Sequence, residues 1–360
     1  MQTIREVDFK GKTVLLRADF NVPLSDTGEI LSDFRIRAVL PTLEFLREGG
    51  AEKIIVISHL GRPEGRDEKM SLRKVAEVLS EMVDKVSFCP EVSGSEVEKR
   101  VAEMKKGEIL VLENLRFYPG EEGNAADFIK EIIRASGAEI YVQDGFAVLH
   151  RAHASTARVA EFLPVYAGLL LEKEVLELSR VLTEPKRPLV LVIGGSKVED
   201  KAPLIERFLG LADKILVGGK IAADGFRADF SGDLAEVARG KIYVAEDFDE
   251  DAEGKKLDIG PVATAKFAES VQGAGTVVWN GLLGKAEDVA FATASTIMAE
   301  MMGEKEDATT VVCGGDTTGF VEEIMQEHPA LSYSLISTGG GAALEFLLGK
   351  ELPGLLAIKK

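Results

Sequence analysis

Short apolar runs alternate with amphipathic stretches along almost the whole chain. TVLLRADF (13–20), KIIVISHL (53–60), EILVLENL (108–115) and EIYVQDGF (139–146) are brief and rich in apolar and β-branched residues, which predicts buried strands. Between them lie segments of helical period: DFRIRAVLPTLEFLREGG (33–50), closed by glycines; SLRKVAEVLSEMV (71–83), with Ser71 as its cap; and AADFIKEIIRAS (125–136). Strand and helix in strict alternation predict a parallel sheet covered by helices.

After LLLEKEVLELSRVL (169–182), which reads as a long helix, TEPKRP (183–188) carries two prolines and no apolar residue. The alternation then restarts with LVLVIGG, APLIERFLGLA, KILVGG, KIYVAE, TAKFAESVQG, TVVWNG, DVAFATASTIMAEMM, TTVVCGG, FVEEIMQE, SLISTGG and ALEFLLG. We therefore expect an α/β domain over 1–168, a connecting helix and linker over 169–188, and a second α/β domain over 189–340. The stretch ADFSGDLAEVARG (228–240) shows no clear pattern.

Composition narrows the function classes. With 360 residues, 46% hydrophobic and 29% charged, the chain has ample length for two cores. A net charge of −17 argues against nucleic acid as a partner. No apolar run approaches the ~18 residues of a membrane span, and MQTIREVDFKGK at the start has no signal-peptide core. Two cysteines, Cys89 and Cys313, make no disulfide framework, so a reducing cytoplasm is expected.

In open α/β sheets ligands bind beyond the carboxyl ends of the strands. In the first half those positions hold Arg17, Asp19 and Asn21; His59, Gly61 and Arg62; Asn114 and Arg116; Asp144, His150 and Arg151. Arg35 and Arg37 open the first helix. Guanidinium groups bind carboxylate and phosphate bidentately, so this half suits a small, multiply anionic ligand. In the second half the strand ends carry Gly194-Gly195 with Lys197 and Lys201, Gly218-Gly219, Asn280-Gly281, Gly314-Gly315-Asp316-Thr317, and Ser337-Thr338 with three glycines. Glycine turns before helix N-termini suit nucleotide phosphates, and Asp316 could hold a Mg²⁺ bridging them. Taken singly, each has a plainer reading: a surface arginine, a turn, an N-cap at Asp316, a first-turn acid at Glu287, core packing for Trp279, a local pair for His150 and His153. Four arginine-bearing strand ends together are harder to explain that way. Neither a Walker A loop nor a dinucleotide fingerprint is present: GLLGKA (281–286) and GGGAAL (339–344) fail both patterns.

Ten stretches in order carry a resemblance: LLRADFNVPL (15–24), FRIRAVLPTL (34–43), ISHLGRPEG (57–65), LENLRFYPGEEGN (112–124), HRAHAST (150–156), GGSKVEDK (194–201), LDIGP (257–261), VVWNG (277–281), GGDT (314–317) and STGGGAALEFLLGKELPG (337–354). The chain resembles phosphoglycerate kinases from end to end. The resemblance implies two Rossmann-like domains with parallel sheets, facing a hinged cleft. It implies an N-terminal domain for 3-phosphoglycerate or 1,3-bisphosphoglycerate, a C-terminal domain for Mg²⁺-ADP or Mg²⁺-ATP, and a last segment, 341–360, returning to the first domain. It places Asp19, Asn21, His59, Arg62, Arg116 and Arg151 on the substrate and Arg35 on the transferring phosphoryl group. Lys197 and Lys201 fall on phosphate-binding lysines, Glu287 on the acid that meets the ribose, and Asp316 on the Mg²⁺ carboxylate. Gly194, Gly195, Gly218, Gly219, Gly260, Asn280, Gly314, Gly315 and Thr317 complete the expected nucleotide site. A monomeric enzyme of central carbon metabolism is the implied whole.

The departures from the family pattern gather around the nucleotide half. Lys220 stands for a glycine, Leu282-Leu283 for Pro and an aliphatic residue, Lys285-Ala286 for Val-Phe, Cys313 for glycine and Leu335 for histidine; Ala147-Val148 replace Gly-Thr in the first half. The stretch between Lys220 and Leu257, which helps wall the adenine pocket in the family, is short by a few dozen residues. These changes bear on base specificity. They also define two other readings: a catalytically weak nucleotide or phosphoglycerate sensor, and a kinase of the same fold with another nucleotide preference.

Overall fold

The computed structural model describes residues 1–226 and 233–358, the side chains of 233–235 aside. The first five residues of the patternless stretch 228–240 thus fall outside the described residues; its remainder lies in the helix Asp233–Lys241. Two compact units are present. One comprises Met1–Glu174 with the segment from Glu351 onward; the other comprises Val175–Lys350. The division lies inside the helix Leu169–Thr183.

The first unit is built on six strands: β1 (Thr13–Arg17), β2 (Lys53–Ile57), β3 (Val86–Phe88), β4 (Glu108–Val111), β5 (Ile140–Gln143) and β6 (Val165–Ala167). They form one parallel sheet in the order β3-β4-β2-β1-β5-β6. Val14–Leu16 and Ile54–Ile57 are buried without alternation, as a sheet covered on both faces requires. Each such side chain contributes about 1.5–3 kcal/mol by leaving water. Register brings the strand ends level: Arg17 sits opposite both Ile57 and Gln143, and Val56 opposite Val111. The loops that follow therefore open on one edge.

The second unit has β7 (Leu189–Ile193), β8 (Lys214–Val217), β9 (Ile242–Val244), β10 (Phe248–Glu250), β11 (Lys256–Ile259), β12 (Thr276–Asn280), β13 (Thr309–Cys313) and β14 (Leu335–Ile336). Six of them make a parallel sheet in the order β14-β13-β12-β7-β8-β9, while β10 and β11 pair as a separate antiparallel hairpin. Ile193 lies opposite both Asn280 and Val217, and Asn280 opposite Cys313. The glycine-bearing loops after β7, β8, β12 and β13 again share one edge.

Several elements differ from the sequence reading. The helix expected over 33–50 is two, Phe34–Ala38 and Leu40–Glu48. Pro41 cannot donate to Arg37, and its ring crowds that carbonyl, so one continuous helix is excluded. The helix after β7 starts at Val198, ahead of Pro203, which lies inside it. The strands β3 and β6 are too short to show a period, and the polar β10 gives no apolar signal. The helix Gly341–Leu347 belongs to the second unit, and the chain enters the first only at Glu351. There Gly354 N–H donates to Leu149 O at 2.9 Å, and a side chain at Gly354 would overlap Leu149.

Candidate functional site

Two sites form, one at the strand-end edge of each sheet. In the first unit the centre is Arg17, a guanidinium only 1% exposed. Its Nε donates to Ser155 Oγ at 3.0 Å, its Nη1 to Ala18 O at 2.6 Å and Ser58 Oγ at 3.2 Å, and its Nη2 to His59 Nδ1 at 3.1 Å. Ser155 in turn donates through Oγ and backbone N–H to the two oxygens of buried Glu121, at 2.6 and 3.1 Å. Ser58 ties the β1 and β2 loops together, accepting from Phe20 N–H and donating to Ala18 O, both at 2.8 Å.

Around this frame stand the expected substrate residues. Arg35, in the short helix Phe34–Ala38, is half-buried and ion-paired with the buried Asp19 carboxylate. Asp19 also accepts from Asn21 N–H at 3.1 Å, and Asn21 Oδ1 accepts from Gly61 N–H at 2.8 Å. Arg116 Nη1 donates to Gly61 O at 2.6 Å. Its Nε lies 3.2 Å from Glu122 Oε1 without the alignment of a hydrogen bond, so that contact is Coulombic only. Arg151 Nε donates to His150 Nε2 at 3.2 Å, and Arg62 is exposed.

So many cations in little water move the titrations. Burial, with Arg151, Arg17 and Arg62 nearby, lowers Arg116 to about 10, which leaves it charged at neutral pH. Burial and then Arg17, Arg116 and Arg35 hold His59 well below the usual imidazole range. Burial and then Arg116 push His153 down to about 4. The cluster is thus a set of fixed positive charges with neutral imidazoles among them, suited to an anion with more than one charged group.

In the second unit a cavity of about 740 Å³ opens where the glycine loops meet. Gly195, Lys197, Lys201, Gly219, Glu287, Gly314, Gly315, Asp316 and Thr317 all line it, as do Ser196 and Asp200. Lys197 is the residue before the helix Val198–Leu209, and Lys201 is in its first turn. Lys201 Nζ donates to Asn280 Oδ1; burial lowers its pKa, partly offset by nearby Asp200 and Asp316. Asp316 is exposed in the first turn of the helix Gly315–Glu327. Thr317 Oγ1 accepts from Gly281 N–H at 2.8 Å, which fixes the β12 loop to that helix.

Four expected nucleotide residues do not line the cavity. A Cβ at Gly194 would lie 2.1 Å from Leu282 O, and one at Gly218 2.9 Å from Leu283 Cδ2, so both glycines serve close packing behind the wall. Gly260 precedes the helix Pro261–Gln272, and a Cβ there would meet the Asp247 carboxylate, which accepts from Val262 and Ala263 N–H. Asn280 is buried and acts through others, accepting from Lys201 and donating to Cys313 O at 2.8 Å.

The sequence reading missed the other end of the cavity. The β10–β11 hairpin supplies Phe248, Lys255, Lys256, Leu257 and Asp258, with Lys256 Nζ 4.5 Å from the Phe248 ring centre. Asp258 accepts from Ala294 N–H at 3.0 Å and Ile259 N–H at 2.9 Å, and burial raises it to about 6. Gly340, Gly341 and Leu344 close another side. Lys220 lines the cavity but is ion-paired with Asp224 one turn on. Leu283 is buried, and its N–H donates to Ser295 Oγ at 3.0 Å.

Comparison with known proteins gives a uniform answer. A family model described as phosphoglycerate kinase matches residues 4–229 and 226–350. Proteins named phosphoglycerate kinase from Trichodesmium erythraeum and Coprothermobacter proteolyticus are each 41% identical, over 99% of this chain and 98% of theirs. The crystal structure of phosphoglycerate kinase from Pyrococcus horikoshii OT3 aligns with a TM-score of 0.86 at 30% identity, covering 100% of this chain and 98% of that one. The structure of phosphoglycerate kinase from Coxiella burnetii aligns at 0.78 and 33% identity, covering 99% and 98%.

Proposed function

The chain belongs to the phosphoglycerate kinase family, and from that premise we propose how it moves a phosphoryl group reversibly between 1,3-bisphosphoglycerate and ADP, giving 3-phosphoglycerate and ATP. The observation that carries the division of labour is the cavity in which Lys197, Lys201 and Asp316 converge with glycine turns at helix starts. That cavity takes the nucleotide. The arginine cluster of the first unit takes phosphoglycerate, through Asn21, His59, Arg62, Arg116 and Arg151, with Asp19 orienting Arg35.

No general base is needed. In one direction the attacking group is a carboxylate, in the other a phosphate oxygen of ADP, and both are ionised at neutral pH. The chemistry requires cancelling charge on the moving group and excluding water. Arg35, Lys197 and Lys201 supply fixed cations, and the Gly315–Glu327 helix start supplies aligned N–H groups. One exposed carboxylate, Asp316, fits Mg²⁺ that arrives with the nucleotide, since this ion keeps waters and binds one or two carboxylates plus phosphates. When bound, it neutralises phosphate charge. Among the described residues no group of three or more acidic, His or Cys side chains forms a dedicated metal cage.

The base end sets a second question. Phe248 and Lys256 line it, so nucleotide preference is read there and not at the phosphates. The proposal extends to a monomer in a reducing cytoplasm. Buried free thiols at Cys89 and Cys313 support the reducing compartment.

The test is steady-state transfer from Mg²⁺-ATP to 3-phosphoglycerate, with GTP run in parallel. Turnover with ATP supports the assignment, and the ATP/GTP ratio reads the base end. Folded protein that binds 3-phosphoglycerate but turns over no nucleotide would favour the sensor reading.

A further inference from the structure

Arg17 is not among the residues placed on the substrate, yet it organises that site. It is 1% exposed, spends its Nε and Nη1 donors on Ser155, Ser58 and Ala18, and still directs Nη2 at His59 Nδ1, 3.1 Å away. A guanidinium has donors and no acceptor, and it does not deprotonate in a protein. The receiving ring nitrogen must therefore carry a lone pair. That leaves two consequences for the imidazole: it is neutral, and its proton is on Nε2. Among the described residues His59 Nε2 makes no hydrogen bond, and it is not one of the buried unpaired atoms, so it is open to a ligand although the residue is only 3% exposed.

We propose that Arg17 is a positioning residue that locks His59 as the neutral Nε2–H tautomer, so that His59 offers phosphoglycerate one directional hydrogen bond and not a positive charge. The inference rests on the substrate assignment above for the identity of the acceptor, but not for the tautomer.

The surroundings support the same state from every side. Arg17 approaches from the end of β1, Arg35 from the helix Phe34–Ala38, Arg116 from the turn Leu115–Phe117, and His153 from the loop between the turn Phe146–Val148 and Arg158. The two buried acids of the cluster are already engaged, Glu121 with Ser155 and Asp19 with Arg35. Burial first, and then the charges of Arg17, Arg116 and Arg35, lower the pKa of His59. Protonating Nδ1 would set an N–H against the Arg17 N–H, so the charged ring and the observed contact exclude each other. Neutrality also has a use. The site already holds several fixed cations, and a donor of set direction adds selectivity for one oxygen without tightening the grip on every anion.

The direct test needs no substitution. Long-range ¹⁵N–¹H correlation spectra of the ligand-free protein resolve the two ring nitrogens, and with only four histidines in the chain the assignment is tractable. The expected result is one neutral His59 species with Nδ1 unprotonated and Nε2 protonated, unchanged across about pH 6 to 8. A ring protonated at Nδ1, or one that titrates in that range, overturns the proposal. In Arg17→Met, folding checked by circular dichroism, the ring should exchange between tautomers and titrate nearer the ordinary range. KM for 3-phosphoglycerate should then rise about tenfold at neutral pH and become pH-dependent, with KM for Mg²⁺-ATP unchanged. An Arg17→Met variant that folds and keeps the single Nε2–H species removes Arg17 from the argument. Should that variant not fold, the spectrum of the native protein still decides the tautomer. Adding 3-phosphoglycerate to native protein should shift the Nε2 resonance. If the tautomer is as expected but the resonance does not move, the lock stands and the substrate half of the proposal falls, separately from any result on turnover.

Discussion

The two sites proposed to hold anions are built differently. In the first unit the working groups are side chains tied to one another: Asp19 to Arg35, Arg17 to His59 and Ser155, Ser155 to Glu121, Arg116 to the Gly61 carbonyl. In the second, glycines at turns and helix starts bring backbone to the wall, and Lys197 and Asp316 stand exposed on it with few ties to other side chains. The difference suits the ligands. A small acid with two charged ends must be told apart from other small anions, which calls for rigid, directional side chains. A nucleotide brings a chain of phosphates that any correctly placed row of N–H groups can hold. The cost of a substitution should therefore depend on which kind of wall it breaks.

The largest effect is expected at Arg35. Arg35→Ala should lower kcat by about 10³-fold or more, the scale of removing a cation from a phosphoryl-transfer transition state. Binding of 3-phosphoglycerate, measured by calorimetry, should change much less. An equal loss in both would make Arg35 a residue for holding substrate, and the first site would then be a binding pocket without a transition-state component.

Next come two matched carboxyls, one per unit. Asp144 and Asp258 are both buried, and burial raises both from 3.8 to about 6. Because the folded pKa lies above the unfolded one, each contributes stability that is fully present below about pH 3.8 and lost as pH rises through about 6. Two pKa units correspond to about 3 kcal/mol at most per site. Asp144 accepts from Leu171 N–H at the start of the helix Leu169–Thr183, so asparagine keeps an acceptor there. Urea unfolding of Asp144→Asn and Asp258→Asn, compared with the parent at pH 4 and pH 8, should show each variant gaining relative to the parent at the higher pH. A difference that does not vary with pH would mean that the carboxyls stay ionised throughout.

The glycines of the second unit make their own prediction. Gly194→Ala should destabilise by about 1–3 kcal/mol, since its Cβ would lie 2.1 Å from Leu282 O. Gly315→Ala has open space around it and should leave thermal stability nearly unchanged while weakening Mg²⁺-ADP binding. If Gly315→Ala binds ADP normally, the phosphates do not approach that helix start.

How much of this could be read beforehand follows the same division. Arginine and histidine at strand ends are rare enough to be noticed, and parallel register then brings them together. Arg17 could be seen at its strand end, but its role could not, because that depends on a hydrogen bond to a ring 42 positions away. Glycines were less informative. Gly195 and Gly315 line the cavity, whereas Gly194, Gly218 and Gly260 only permit packing, and adjacent letters in a sequence do not separate these uses. The β10–β11 hairpin left no apolar period, since Phe248-Asp249-Glu250 is mostly polar and exposed, so its part in lining the cavity was invisible in the sequence.

The smallest effect is expected at Lys220, although it departs from the family pattern. Its ammonium is ion-paired with Asp224 at the surface, where such pairs contribute about 0–1 kcal/mol. Lys220→Gly should change ADP affinity less than about fivefold, within the range that 1 kcal/mol allows. A much larger loss would place Lys220 directly on the nucleotide.

The most direct test of the central claim, that each unit holds its own ligand by its own means, is a crossed calorimetric titration. Arg151→Ala and Lys201→Met are each titrated with 3-phosphoglycerate and with Mg²⁺-ADP. Arg151→Ala should weaken 3-phosphoglycerate at least tenfold (about 1.4 kcal/mol) and leave Mg²⁺-ADP unchanged, and Lys201→Met should do the reverse. Loss of Mg²⁺-ADP binding in Arg151→Ala, or of 3-phosphoglycerate binding in Lys201→Met, would contradict the assignment of the two ligands to two separate sites.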